Sequence, residues 1–242
     1  MTSAKTLEDR LHELESRVLQ LEDINAIRKL HFAYGYYIDV CRYADVVQLF
    51  SRDGEVVFLS GVYKGHKGIA RLYQTWFHEY FTQGRPGPEY GFLLDHLQMQ
   101  DIVTVSSDGK TAQGRFRALL AGGNHASREY KPEGLPQQFY EGGPMESGKK
   151  IIVDKFPLQY IREDGVWKIK RLDYVVQWQA EYEKGWANTE AHLKPHVVTY
   201  PENPTGPDEL LPETEVRKTW PHRADVPTHY AHPVMQFAQK GP

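Results

Sequence analysis

The sequence predicts an α+β protein, and three observations carry that reading. Apolar residues before position 50 recur at helical spacing. Those after position 53 fall mostly in short β-branched and aromatic runs separated by turn residues. A doubly wound parallel sheet needs a helix between each strand pair, and the later runs lack that alternation. Helices set ahead of an antiparallel meander fit better.

Leu7, Leu11, Leu14, Val18 and Leu21 alternate in steps of four and three, an apolar stripe on a helix that starts near residue 6. The stripe is short for a free coiled coil, so packing on the domain body is the first expectation and subunit contact the alternative. Ile24, Ile27, Leu30, His31 and Tyr34 continue the face, and Ala44, Val47 and Phe50 predict a short second helix after a break near Cys41. The Asp53-Gly54 turn introduces the first strand, Glu55–Ser60. Ile69, Leu72, Tyr73, Trp76, Phe77 and Tyr80 predict a helix over 67–82, stopped by the Gly84–Pro88 run. Runs 92–105, 111–121 and 150–162 have strand composition, and 166–180 reads as the last long strand.

Residues 122–149 hold six glycines and three prolines and read as a long loop, functional or in a subunit contact. Beyond Trp186 lie nine of the fifteen prolines and five of the eleven histidines. Such a segment cannot stay regular, yet Trp186, Tyr200, Trp220, Tyr230 and Phe237 are too apolar for a free linker. The chain thus divides into an α+β domain over 1–184 and an extension over 185–242, expected to pack on the domain or on a neighbouring subunit.

Several functions are disfavoured. Net charge is −3 with the basic residues dispersed, so there is no footprint for a phosphate backbone and nucleic acid is not an expected partner. The N-terminus is polar and no apolar run spans a bilayer, which points to a cytoplasmic protein without a membrane partner. Cys41 is the single cysteine, read as a small buried apolar residue. His222, His229 and His232 lack zinc-site spacing, so no metal is expected, and the Gly-rich stretch 141–148 lacks the ending of a phosphate loop.

Ile27–Tyr34, Ile38-Asp39, Leu49-Phe50, Asp53, Tyr63–Gly65, Asp95-His96 and Arg162–Ile169 fall in an order and spacing that resemble the SnoaL-like branch of the nuclear transport factor 2-like superfamily over about residues 20–180. The resemblance implies a curved antiparallel sheet wrapped around N-terminal helices as a cone, with a pocket for a bulky apolar molecule at its open end and no cofactor. Members include dehydratases, polyketide cyclases and steroid isomerases, and the fold also hosts binding proteins without activity. The Gly/Pro insertion and the Tyr230–Val234 tail resemble the γ-formaldehyde lyases, which act on lignin-derived diarylpropane diols.

The bile acid dehydratases of this superfamily use a Tyr, an Asp five residues later and a strand His. The resemblance therefore implies a catalytic set of Tyr34, Asp39 and His96, with His96 or Tyr34 as acid and Asp39 as base. A five-residue step turns about 140° on a helix, so Asp39 joins Tyr34 only if the helix ends there. The plain alternatives are a core Tyr, a helix-end Asp and a satisfied buried His. Phe58, Tyr63, Trp76 and Trp178 are candidates for stacking on an aromatic substrate, and one of Arg117, Lys155 or Arg171 for holding a phenolate or carboxylate, with surface solvation the plain alternative for each. The implied activity is a cofactor-independent lyase, most specifically γ-formaldehyde elimination from a diarylpropane diol, in a homodimer or homotrimer. A steroid or polyketide dehydratase or isomerase, or a binding or assembly module, are the alternatives.

Overall fold

The computed structural model describes residues 5–146, 160–216, 218–222 and 228–234. Helix α1 runs Leu7–Asp39 and opens on a capping box, in which Thr6 accepts from the Asp9 N–H and Asp9 accepts from that of Thr6. Only its C-terminal part is gripped: Ile27, His31, Tyr34, Gly35 and Ile38 are buried, whereas residues 5–22 are exposed throughout. The Leu7–Leu21 stripe thus does not pack on the body as first expected. At about 1.5 Å per residue, those exposed turns make up some 25 Å of helix.

Cys41 turns the chain with φ 55 and is half-buried rather than buried, because the break that it forms must redirect the chain into α2 (Tyr43–Gln48). Strand β1 (Phe50–Phe58) returns through Leu59 and Ser60, both at positive φ, into β2 (Gly61–Lys64). The next helical stretch is α3 (Gly65–Ala70), a π-helical segment (Arg71–Phe77) and α4 (His78–Thr82), close to the expected 67–82. Then come β3 (Phe92–Val105), β4 (Thr111–Asn124), β5 (Gln138–Glu146), β6 (Tyr160–Glu163), β7 (Val166–Tyr174) and β8 (Trp178–Glu181).

The sheet runs β8-β5-β4-β6-β7-β1-β2-β9, where β9 is Glu209–Leu210, and β3 also lies on β4. Strand β5 pairs with β7 as well as with β4, so the sheet curls back on itself and encloses the buried face of α1. The architecture is the expected α+β one, but the sheet is mixed: β1 pairs with β7 in parallel. These strands are far apart in sequence, so no hairpin forces them antiparallel.

Several strand bounds differ from expectation: β1 starts at Phe50, so that residue leaves the second helix and the Asp53-Gly54 pair lies inside the strand, and β4 runs on to Asn124. Strand β5 lies inside the segment read as a loop; its glycines hide the strand pattern, and Gly142 is needed because the Trp178 ring occupies the place of a Cβ. The run 166–180 is broken at residues 175–177, where Gln177 N–H donates to Gly142 O. The run 150–162 lies mostly outside the described residues.

The extension is held mainly by polar bonds. His196 N–H donates to Leu59 O, Asp208 N–H to Val62 O and Trp220 N–H to Gln177 O, while Arg71 pairs with Asp208 at 2.6 Å. Trp186, Tyr200 and Trp220 stay substantially exposed, so its large aromatic residues bury less area than their number implies; Phe237 lies outside the described residues. Among the described residues no helix is long and apolar enough to cross a membrane.

Candidate active site

Strand β3 crosses α1 at Gly35, where a Cβ would lie 3.0 Å from His96 O, so glycine permits this close approach without a shift of the strand. One turn later α1 ends on Asp39. The helix stops there, so the Asp39 carboxylate meets the strand: its Oδ1 accepts from His96 N–H at 2.8 Å and lies 2.8 Å from His96 Nδ1. A carboxylate has no proton to give, so Nδ1 carries the ring proton and the lone pair of a neutral His96 is on Nε2.

His96 lines a lumen inside the curled sheet, together with Tyr34, Phe58, Tyr73, Phe77, Phe81, Leu120, Leu135, Glu141, Met145, Tyr174 and Leu193. Its free volume is about 40 Å³, so side chains nearly fill it. Tyr34 and Tyr73 share a hydrogen bond of 2.8 Å between hydroxyls, and burial pushes both phenols well above their ordinary pKa. Both stay protonated and serve as donors.

His31, one α-helical turn before Tyr34, does not share this role. It stacks on Phe116 with centroids 3.7 Å apart, and its nitrogens face Tyr160 Oη at 2.8 Å and Gln98 Oε1 at 3.1 Å. Burial lowers its pKa to about 3, which keeps it neutral.

Tyr34, Phe58 and His96 therefore line the lumen, with Asp39 behind His96. The other expected residues that the structure describes are not brought there. Tyr63 is fully buried, with its hydroxyl 3.3 Å from His196 Nε2 and 3.2 Å from Thr205 O. Trp76 stacks on Tyr80 behind Phe58. Arg117 is exposed, because the two-residue period of β4 turns Phe116 and Ala118 inward and Arg117 out. Trp178 alternates with the buried Gln179 in the same way and covers Gly142 from outside, against Trp186. Arg171 is paired with Glu55, and Lys155 lies outside the described residues.

Sequence reasoning missed Tyr73, Glu141, Tyr174 and the nearby His192. Glu141 alternates with the inward Phe139, a signal that is legible only if the Gly-rich stretch is taken as a strand. A larger cleft of about 340 Å³ under the extension, lined by Val57, Val176, Pro195 and Trp220 among others, does not include the Asp39–His96 couple.

The family model described as the SnoaL-like domain matches residues 19–173. No curated protein matches the chain significantly. Among solved structures, a protein assigned as a scytalone dehydratase from Novosphingobium aromaticivorans is 17% identical, with TM-score 0.51, covering 74% of this chain and 96% of that one. A hexachlorocyclohexane dehydrochlorinase, LinA type 2, is 16% identical with the same TM-score, covering 75% and 99%. At these identities the likeness is one of fold, and that fold is the nuclear transport factor 2-like one.

Proposed function

The chain belongs to the SnoaL-like domain family, and we propose that it is a cofactor-independent lyase that eliminates a small group from an aromatic substrate by acid–base chemistry. The observation that carries this reading is the Asp39–His96 couple facing an apolar lumen. His96 Nε2 is the base, and Asp39 positions the ring and stabilises the imidazolium that forms. This reverses the roles implied by the family resemblance, since both Asp39 bonds go to His96. Tyr34, paired with Tyr73, donates to the departing oxygen.

The most specific form is loss of water and formaldehyde from a diarylpropane diol. The benzylic hydroxyl leaves as water, helped by electron release from a para-phenol. His96 then takes the proton of the γ-hydroxyl, the Cβ–Cγ bond breaks, formaldehyde departs, and its electron pair completes the stilbene double bond. A two-ring substrate enters only if the wall opens, and Leu135 and Leu193 are its loop-borne residues. Incubation with a diarylpropane diol should release formaldehyde and stilbene absorbance in equal amounts. Absence of both, from folded protein and a range of diols, removes this form.

A second reading is dehydration or isomerisation of a steroid or polyketide. The outward position of Arg117 favours it, because simple loss of water does not require a cation for a phenolate. Mass balance separates the two. Self-association through the exposed Leu7–Leu21 stripe completes the proposal, and Leu11→Glu with Leu14→Glu should then lower the sedimenting mass; an unchanged mass rules that contact out.

A further inference from the structure

The strand register places a second polar group in the lumen. His96 on β3 is the cross-strand partner of Leu120 on β4, Leu120 of Glu141 on β5, and Glu141 of Gln179 on β8. Cross-strand partners share a face, and all four are buried, at 8%, 6%, 2% and 3% exposure, so the row points inward. With strands about 4.8 Å apart, the His96 and Glu141 backbones lie roughly 10 Å from each other along one lumen wall.

The Glu141 carboxylate accepts no hydrogen bond from a described residue, and its one close polar contact is with His192. His192 Nε2 lies 3.3 Å from its Oε1, outside hydrogen-bond geometry, and the extension is held there by Gln179 Oε1, which accepts from the N–H groups of His192 and Leu193. Tyr174, whose cross-strand partner Met145 is four residues along β5 from Glu141, lines the same lumen, and its buried hydroxyl has no partner. Burial, reinforced by the charge of Glu141, keeps that phenol protonated. A buried donor without a partner, beside a buried carboxylate whose contact with His192 is off hydrogen-bond geometry, is costly unless something else matches it.

We infer that Glu141 and Tyr174 form a hydroxyl-recognition subsite: a substrate hydroxyl, phenolic or alcoholic, donates to Glu141 and accepts from Tyr174, one aromatic ring away from the atom that meets His96. The chemistry selects this class. A carbonyl or ether has no proton for Glu141, an ammonium has no lone pair for Tyr174, and a carboxylate is repelled by Glu141. The inference rests on reading the lumen as the substrate site, but not on any particular reaction.

Equilibrium binding tests it without turnover. Quenching of tryptophan fluorescence is titrated with trans-4-hydroxystilbene and with trans-4-methoxystilbene. The wild-type protein should bind the hydroxyl compound about tenfold more tightly or better, a difference of about 1.4 kcal/mol. Glu141→Leu and Tyr174→Phe should each bring the ratio of dissociation constants close to one, while His96→Ala keeps it. Tyr174→Phe removes one unpartnered oxygen, so it remains informative if Glu141→Leu fails to fold. A wild-type ratio near one, a ratio retained in Tyr174→Phe, or no binding of either compound by folded protein overturns the subsite. A retained wild-type pattern beside absent turnover defeats the proposed reaction alone.

Discussion

Asp39 Oδ1 is within 2.8 Å of two nitrogens of the same residue, the backbone N and Nδ1 of His96. One bond ties the end of α1 to β3, and the other sets the tautomer of the ring. The same oxygen thus joins fold to chemistry.

Asp39→Asn and His96→Ala should each lower kcat by at least on the order of 10²-fold while the protein stays folded. They should differ in their pH profiles. An amide at position 39 can offer N–H or C=O to Nδ1, which frees the ring to adopt the wrong tautomer, so Asp39→Asn should keep a residual pH-dependent rate and His96→Ala should lose the dependence. Wild-type-like turnover in both variants takes the couple out of the mechanism.

Stability should fall as the pH drops from about 6.5 towards 3. His31 stays neutral in the folded protein until about pH 3, whereas in the unfolded chain it takes up a proton near 6.5. Across that window the unfolded state binds more protons, so acid favours unfolding, by up to about 1.4 kcal/mol per pH unit from this group. His31→Gln should flatten the pH dependence of chemical denaturation between pH 6.5 and 4 relative to wild type; an unchanged slope would show that His31 is not the group responsible.

Arg117→Ala should leave turnover within about twofold of wild type, because its side chain is on the outer face of β4. Tyr34→Phe should lower kcat by roughly tenfold or more, through loss of the hydroxyl that pairs with Tyr73. Steady-state kinetics of the pair decides. The reverse pattern would place the reacting centre outside the lumen.

Gln179→Leu should destabilise the protein by about 1–3 kcal/mol, since it strands the half-buried N–H groups of His192 and Leu193. It should also raise KM, because Leu193 is part of the lumen wall. Urea denaturation and kinetics on one preparation check both effects. Unchanged stability and KM would show the extension to be dispensable for the site.

The sequence by itself determined the order of elements as far as β4 and half of the site. Apolar period marks α1, β1 and the 65–82 helical stretch because each buries one face, and the five-residue step from Tyr34 to Asp39 already required the helix to end there. Tertiary structure alone decided the rest. Whether Arg117 faces in or out depends on which face of β4 is enclosed, which composition does not record. Glu141 faces in because β5 is a strand despite its glycines, and its relation to His96 is a matter of register across three strands. Leu193 meets the lumen where its N–H donates to Gln179, and sequence distance carries no information on where an extension crosses a sheet.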